Sequence, residues 1–367
     1  MAGPLPENPD PFKIDGMSQE THWVEDGSAK VSDQWRVLHE TCGLYDASSR
    51  SRLCLLGGDR ASFLHGQVTQ EIQKLDSGEG TYTALADRKG RFVSDLNVYC
   101  LPDEILLDFE PNDLDKVRER LEAFIVSEDV YLVDPSEHYT MLSLQGPLSE
   151  KVLSTCFDLP APPTRPGQLV SFTHTEIEGE IYVSCRPRCP GHGFDLFVPR
   201  PHHQQVWETL LQATESIQGM EVGEVAMEMV RIEAGIPRSG FELTNAILVQ
   251  ESGLADQMIS FHKGCYIGQE VISRIKSVGK LNRQLCRFRL VGKPDPTPDQ
   301  PVALMAGDKA CGWLTSLAVL PSADTSVLAL GYVQTSILKQ PLPIHVSGAD
   351  GASLVADLDG PVNAYGT

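Results

Sequence analysis

The sequence lacks the features that mark membrane-spanning, secreted and nucleotide-binding proteins. No apolar run approaches the length of about 18 residues that a membrane helix needs. Residues 1–10 are proline-rich and polar, without the basic and apolar regions of a signal peptide. Neither a Walker A motif nor a GxGxxG motif is present. We therefore expect a cytoplasmic protein that does not contact membranes, and nothing in the sequence supports nucleotide binding.

Cysteine and histidine are too sparse and too irregularly spaced to predict a disulfide framework or a metal centre. Nine cysteines occur in 367 residues, and an odd count leaves at least one of them unpaired. Cys185 and Cys189 form a C-x3-C pair, but no second pair with a similar short spacing accompanies it. The ten histidines form no HxxxH or HExxH motif. We expect no metal site, and Cys185 and Cys189 are interpreted as ordinary loop or core residues.

Positive charge is also scarce, except in one segment. The chain has 30 basic and 50 acidic residues, and its net charge of −20 argues against binding to nucleic acid or anionic membranes. Residues 263–289, by contrast, contain seven basic residues and one acidic residue, a net charge of +6. Two interpretations stay open. The segment is either a solvated helix face followed by a basic strand, or an electropositive patch that draws an anion toward Cys265.

The order of the predicted elements indicates an α+β fold. Thr81–Ala86 and Phe92–Cys100 are predicted strands, joined by a hairpin turn in which Gly90 adopts a positive φ. Three strands, a helix and a further strand follow one another twice, which favours α+β layers over a doubly wound sheet. After Gly279 only short strands separated by turn residues are predicted, as in a small β-barrel or sandwich. Residues 1–30 show little periodicity and are expected to form a loose leader.

The most informative string is KGCYIGQE, residues 263–270. The apolar spacing of Ile267–Lys276 predicts a helix, so Cys265 is placed at a helix N-terminus. There the helix dipole and the charge of Lys263 would both favour the thiolate, the form of cysteine that attacks electrophiles. The alternative is an inert, buried cysteine.

The same string resembles the Lys-Gly-Cys-Tyr-x-Gly-Gln-Glu motif of the YgfZ family. These folate-binding proteins are related to the T-protein, the aminomethyltransferase of the glycine cleavage system. The resemblance extends over residues 36–290 and implies a three-domain ring around a folate pocket. Residues 1–50 and 136–275 would form one discontinuous α+β domain that bears most of the pocket. Residues 51–135 would form a second α+β domain, and residues 276–367 a β-barrel.

Three further strings resemble parts of the T-protein. Residues 90–96 resemble the strand that bears its catalytic aspartate, although the two consecutive aspartates of those enzymes are here Ser94 and Asp95. Asp195 stands where the relatives have a glutamate that holds the pterin ring. A carboxylate there can accept two parallel N–H bonds from a flat amidine-like edge. Arg231 lies in an Arg-x-Glu-Ala-Gly string that T-protein relatives share, and it is predicted to face away from Glu233.

Each of these residues also has a plain structural interpretation. Asp95 and Asp195 could be exposed strand carboxylates, and Arg231 could be a salt-bridged arginine. Residues 66–70, GQVTQ, are interpreted as a structural helix stop beneath the pocket.

The predicted site combines the evidence of the residues with the resemblance. The predicted catalytic residues are Cys265, Lys263 and Asp95. The predicted cofactor-binding residues are Asp195, Arg231, Tyr266, Gln269 and Glu270.

The main functional hypothesis is a monomeric, tetrahydrofolate-binding accessory protein for the assembly or repair of iron–sulfur cluster proteins, its partners. The first alternative is a tetrahydrofolate-dependent aminomethyltransferase or demethylase, and the second is a protein-docking module without chemistry.

Overall fold

Three β-sheets and nine α-helices make up the described part of the chain. The structure is a computed structural model, and it describes residues 20–159, 161–294, 301–321, 327–340, 342–348 and 352–362. The strands are β1 His22–Val24, β2 Gly43–Asp46, β3 Ser51–Leu56, β4 Gly80–Ala86, β5 Phe92–Cys100, β6 Ile105–Phe109, β7 Tyr131–Val133, β8 Tyr139–Gln145, β9 Leu169–His174, β10 Ile177–Cys185, β11 Gly193–Pro199, β12 Met220–Glu221, β13 Arg283–Leu290, β14 Ala303–Ala306, β15 Lys309–Val319, β16 Val327–Gln334, β17 His345–Ser347 and β18 Ser353–Pro361. The helices are α1 Ala29–Glu40, α2 Arg60–Gln67, α3 Leu114–Glu122, α4 Ser149–Cys156, α5 His203–Ser216, α6 Glu224–Ala234, α7 Ala255–Met258, α8 Gln269–Val278 and α9 Thr335–Lys339.

The first sheet is antiparallel and contains five strands in the order β4-β5-β6-β3-β7. The predicted hairpin between β4 and β5 is confirmed. The carboxylate of Asp87 accepts from the backbone N–H groups of Lys89 and Arg91, and Gly90 has φ 72°. Because residues two apart on a strand share a face, Asp95 and Asn97 lie on the same side of β5, opposite Ser94. Helix α3 packs Val117 and Leu121 into the core of this sheet.

The second sheet contains six strands in the order β12-β2-β8-β11-β10-β9. Strand β11 lies inside it, and Asp195 is paired with Ser143 of β8 on one side and with Ser184 of β10 on the other. All seven residues of β11 are buried, so the sheet places this carboxylate in the interior. Strand β9 was not predicted. Its exposed and half-buried positions alternate, and few apolar residues mark it in the sequence.

The third sheet is a closed six-stranded barrel with one added strand. Its order is β15-β14-β17-β18-β13-β16, and β16 pairs back with β15. The predicted C-terminal β-barrel is therefore confirmed. Strand β1 pairs in parallel with the second half of β15, beside Ser316–Ala318. The expectation of a loose leader over residues 1–30 is wrong for residues 22–24 and 29–30, because three residues are too few to show a period. Residues 1–19 lie outside the described residues.

Helix α6 connects the part of the molecule that contains the second sheet to the barrel. It contacts α1 on one side and β15 and β16 on the other, and residues 226–232 are all buried. The helix ends at Gly235, which has φ 73° and caps the last turn. A core cluster that includes Ala84, Met229 and Leu285 takes residues from β4, α6 and β13. This shared core fixes the first sheet, helix α6 and the barrel against one another.

The domain division predicted from the sequence stays a prediction. Within the described residues, no helix is long and apolar enough to cross a membrane.

Candidate functional site

Two adjoining cavities lie where the three sheets meet. The large cavity has a volume of about 790 Å³, and the charged cavity has a volume of about 340 Å³. They share a wall of four residues, namely Arg186, Pro187, Ile236 and Pro237. Both volumes fall in the range of about 300–1,000 Å³ that is usual for small-molecule sites.

The large cavity takes its lining from all three sheets. Tyr82 and Tyr99 come from the first sheet, and Arg287 comes from β13 of the barrel. The loop after β10 contributes Arg186, and the turn after α6 contributes Ile236. The Nε atom of Arg287 is buried and has no hydrogen-bond partner among the described residues. The cavity therefore combines aromatic and aliphatic walls with guanidinium groups.

The charged cavity is lined by a connected set of buried ion pairs. Arg50 binds Asp108 at 2.7 Å and Glu110 at 2.5 Å, and Arg238 binds Glu110 at 2.7 Å and Glu228 at 2.8 Å. Burial opposes the ionisation of Asp108, but the guanidinium groups around it prevail and lower its pKa to about 2. Removing one partner of such a pair leaves an uncompensated buried charge, which typically costs about 3–5 kcal/mol.

Asp95 differs from the other acidic residues of the charged cavity. Its Oδ2 accepts a hydrogen bond of 2.8 Å from the Tyr82 hydroxyl, and no arginine of the described residues forms an ion pair with it. Its Oδ1 is buried and has no hydrogen-bond partner among the described residues. Burial and the nearby charge of Glu110 raise the pKa of Asp95 to about 6. The carboxyl group is therefore able to gain or lose a proton near neutral pH.

Asp195 lies behind the charged cavity and does not line it. It is fully buried, and its carboxylate is held by Arg188, whose Nη2 is 2.6 Å from Oδ2. The hydroxyl of Ser143 donates to Oδ1 at 2.7 Å. The alternative of an exposed strand carboxylate is therefore wrong, because β11 is buried on both faces. The pterin-binding role of Asp195 stays a prediction.

Arg231 lines the charged cavity but is already paired. Its guanidinium binds Glu228 at 2.8 Å and Glu242 at 2.9 Å, and it also donates to the Ser316 hydroxyl of the barrel. Glu233 points elsewhere, where it accepts from the Trp35 indole at 3.1 Å. The two side chains face different ways, as predicted. The geometry fits the salt-bridged interpretation of Arg231, and a direct role in cofactor binding stays a prediction.

Lys263 reaches into a ring of backbone carbonyls formed by residues 65–70. Its Nζ donates to the carbonyls of His65, Val68 and Gln70 at 2.5, 2.8 and 2.7 Å. Burial lowers the pKa of Lys263 to about 8, while the three carbonyls favour the charged form. In this arrangement the ammonium group fastens the KGCYIGQE loop to residues 65–70. Its proposed influence on Cys265 stays a prediction.

Gly268 fastens the other end of the KGCYIGQE loop. It has φ 87°, and a Cβ atom built on it would lie 2.6 Å from the Asp87 carbonyl of the first sheet's hairpin. Helix α8 begins at Gln269 with Gly268 as its N-cap, so the predicted start at Ile267 is wrong. Cys265 precedes this cap by three residues. The predicted activation of the thiol by the helix stays a prediction.

Cys265 is exposed, whereas the other eight cysteines are buried or half-buried. The interpretation of Cys265 as a buried, inert residue is therefore wrong. It lines neither cavity. The neighbouring Tyr266 is buried, and its hydroxyl has no partner among the described residues. The Gln269 amide donates within the loop to the Gly264 carbonyl at 3.4 Å, and Glu270 is exposed. The predicted roles of these four residues remain untested.

The basic segment is divided between two environments. Arg283 pairs with Glu251 at 3.0 Å, and Lys276 lies 3.5 Å above the ring of Phe261. Arg287 lines the large cavity. Arg274, Lys276 and Lys280 are exposed, so the solvated helix face followed by a basic strand fits the structure, and an electropositive patch around Cys265 stays a prediction. Within the described residues, no group of three histidine, cysteine or acidic side chains is arranged to hold a metal ion.

The sequence did not reveal the ion pairs that line the charged cavity. These residues lie in four separate parts of the chain and carry no common motif, namely Arg50, the neighbours Asp108 and Glu110, Arg188, and Arg238. Their only signal is charge inside segments that otherwise predict buried strands, as with Asp108 in β6. A buried strand carboxylate requires a cation, but the sequence alone does not say which one.

Comparison with known proteins places the chain among aminomethyltransferase-like proteins. It is 28% identical over 309 residues to an aminomethyltransferase of Exiguobacterium sibiricum, across 84% of this chain and 82% of that protein. It is 29% identical over 309 residues to an aminomethyltransferase of Desulforamulus reducens, across 82% of this chain and 80% of that protein.

A solved structure shares the fold. The crystal structure of glycine cleavage system aminomethyltransferase T from Bartonella henselae matches with a TM-score of 0.77 and 18% identity. The match covers 90% of this chain and 88% of that one. The family model described as the GCVT N-terminal domain matches residues 8–263. Because that match spans more than half of the 367 residues, the chain belongs to the GCVT family.

Proposed function

We propose that this protein binds tetrahydrofolate in the two adjoining cavities and catalyses a one-carbon transfer of the aminomethyltransferase type. The observation that carries the proposal is the carboxyl group of Asp95, which lines the charged cavity and whose buried Oδ1 has no hydrogen-bond partner among the described residues. The named relatives support the reaction class, since the aligned proteins are aminomethyltransferases across more than four fifths of this chain.

The residues present fit a folate. Its flat, polar pterin ring suits the charged cavity, where hydrogen-bonding side chains surround a small volume. Its aromatic linker suits the large cavity, whose walls include Tyr82, Tyr99 and Leu254. Arg287 already pairs with Asp359 through Nη2 at 3.4 Å, and its buried Nε, which has no partner among the described residues, would hold a carboxylate of the glutamyl tail. Asp195 and Arg231 are the proposed anchors of the pterin end.

Asp95 would act as the proton acceptor. A base works best when its pKa lies near the working pH, and a pKa of about 6 leaves Asp95 largely ionised at neutral pH. Tyr82 holds Oδ2, so Oδ1 is the oxygen that takes the proton. Tetrahydrofolate itself supplies the nitrogen atoms that carry the one-carbon unit.

Ser94 does not weaken this role. Its hydroxyl donates to Asp113 at 2.6 Å on the other face of β5, and Ser94 is fully buried there. Because neighbouring residues of a strand point to opposite faces, only the second residue of the Ser94–Asp95 pair faces the cavity. The loss of the first aspartate that T-protein enzymes have at this place therefore removes nothing from the cavity wall.

Calorimetry with tetrahydrofolate tests the binding half of the proposal. Ile236→Trp fills the wall that both cavities share, so we expect it to abolish binding that the wild type shows. Val126→Trp is the matched control, because Val126 is 88% exposed and lines neither cavity. Absence of binding in the wild type, or equal binding in both variants, contradicts the proposal.

A second candidate function follows from Cys265, the one exposed cysteine of the nine. Together with the YgfZ-like motif, it supports an accessory role in the assembly or repair of iron–sulfur proteins. A single thiol cannot hold a cluster, since four cysteine ligands are usual, so the thiol would act with a client or a small thiol. Cys265→Ala should then fail to complement a deletion strain while keeping its fold and folate affinity. Full complementation contradicts this candidate.

A further inference from the structure

The side chain of Arg188 lies between Asp195 and the charged cavity. Its Nε is 3.1 Å from both carboxylate oxygens of Asp195, and its Nη2 is 2.6 Å from Oδ2. Arg188 lines the cavity and its side chain is 15% exposed, whereas Asp195 is fully buried and does not line it. A ligand that enters the cavity therefore meets the guanidinium group and not the carboxylate.

The guanidinium group of Arg188 resembles in shape the edge of the ligand that Asp195 is proposed to bind. A guanidinium group presents two parallel N–H bonds in one plane, and the N–C–N edge of a pterin does the same. Both oxygens of Asp195 are already occupied, since Ser143 also donates to Oδ1. The carboxylate of Asp195 therefore cannot accept hydrogen bonds from Arg188 and two parallel N–H bonds from a pterin at the same time.

Arg188 has a second acceptor that would receive it after displacement. Its Nη2 lies 3.3 Å from Oδ2 of Asp108. Its backbone N–H donates to the Gln145 side chain at 2.7 Å, and Pro187 and Pro190 restrict the chain around it. The backbone of Arg188 is thus fixed, while its guanidinium group can pair with either Asp195 or Asp108. Displacement from Asp195 therefore does not leave the guanidinium charge without a partner.

We propose that Arg188 is a specificity-determining residue that competes with the ligand for the carboxylate of Asp195. This inference rests on the proposed folate function. Ligands with an amidine-like edge bind only by displacing Arg188, and the affinity of the site is lower than its carboxylate alone would give. Loss of the fork-shaped guanidinium group frees Asp195 for the ligand.

Calorimetry with tetrahydrofolate and with 6-methyltetrahydropterin, which has no glutamyl tail, tests the competition. We expect Arg188→Ala to bind both compounds at least tenfold more tightly than the wild type. Millimolar guanidinium chloride should reverse this gain in the variant and leave the wild type unchanged, because the free ion refills the vacated place. Arg165→Ala is the matched control, since the Arg165 side chain is 72% exposed. It should bind like the wild type.

Each other outcome is decisive. Weaker or unchanged binding by Arg188→Ala, when the wild type binds, overturns the inference and leaves the proposed function standing. If no variant and no wild-type protein binds tetrahydrofolate, the proposed function itself fails. If thermal melting shows that Arg188→Ala is unfolded, Arg188→Lys decides, because lysine keeps the charge but cannot form the fork. It should bind several-fold more tightly than the wild type, and equal or weaker binding overturns the inference.

Discussion

Tyr82 donates its hydroxyl hydrogen to one oxygen of Asp95 at 2.8 Å, and the other oxygen of that carboxyl group is left without a partner among the described residues. Every other acidic residue on the charged cavity's wall has an arginine partner, as Glu110 and Glu228 do. Asp95 is thus the one acidic residue of that wall, among the described residues, that has no arginine ion-pair partner.

The raised pKa of Asp95 predicts a pH-dependent gain in stability for Asp95→Asn. A carboxyl group whose pKa is higher in the folded state destabilises that state once it ionises. This destabilisation is absent below about pH 4, the ordinary pKa of an aspartate side chain. It grows between pH 4 and pH 6 and is complete above pH 6. We therefore expect the variant to be more stable than the wild type by up to about 3 kcal/mol at pH 8, and equal to it at pH 4. Urea unfolding at the two pH values measures this.

Asp103→Asn is the matched control for that experiment, because Asp103 lies in an exposed turn. Its stability relative to the wild type should not change with pH. A constant difference between Asp95→Asn and the wild type from pH 4 to pH 8 would contradict a raised pKa at Asp95.

Removal of the Lys263 ammonium group should loosen the KGCYIGQE loop. Lys263→Met leaves the three carbonyls of residues 65, 68 and 70 without their donor. An unsatisfied buried polar group costs about 1–3 kcal/mol, so we expect a loss of that order in the free energy of unfolding. Lys74→Met, at a side chain that is 78% exposed, should change it little. Hydrogen exchange at residues 65–70 reports the local effect, and unchanged protection there in Lys263→Met would argue against the anchoring role.

The close approach of Gly268 to the hairpin predicts that substitution by alanine destabilises the protein more at Gly268 than at Gly279. Both Gly268 and Gly279 have positive φ, at 87° and 66°. Only Gly268 is crowded, since a Cβ there would lie 2.6 Å from the Asp87 carbonyl, whereas nothing lies within 4 Å at Gly279. Gly279→Ala should cost about 1–2 kcal/mol for the left-handed backbone alone. Gly268→Ala should cost clearly more, and equal unfolding free energies would refute the contact.

The exposure of Cys265 predicts that one thiol reacts in the folded protein. Titration with a thiol-specific reagent should modify one cysteine per chain quickly, and all nine after denaturation. Cys265→Ser should remove the fast reaction. Cys156→Ser, at a half-buried position, should keep it. Fast labelling that survives in Cys265→Ser would show that another thiol is accessible.

Local patterns predicted the parts of the fold that depend on local chemistry. The Asp87–Gly90 turn was predictable because an aspartate side chain and a positive-φ glycine define such turns. The strands of the barrel were predictable from their short apolar runs between turn residues. Strand β1 was not, because three residues gain their structure only by pairing with β15.

The candidate site was only partly predictable for the same reason. Asp95, Asp195 and Arg231 were singled out, but their partners come from distant strands that the sheet order brings together. Arg188 could not be assigned to Asp195 from the sequence, because the register of β11 and the path of the preceding loop decide that contact. The helix start at Gln269 was missed because the positive φ of Gly268 follows from its packing against the hairpin.

One measurement tests the central claim most directly, namely tetrahydrofolate-dependent one-carbon transfer from an aminomethylated lipoyl carrier protein, compared between the wild type and Asp95→Asn. We predict turnover by the wild type, and a kcat at least 100-fold lower in the variant, in line with the general contribution of a positioned base. Tetrahydrofolate affinity should stay within a few-fold of the wild type. Equal turnover in both proteins, or no turnover by a folate-bound wild type, would contradict the account.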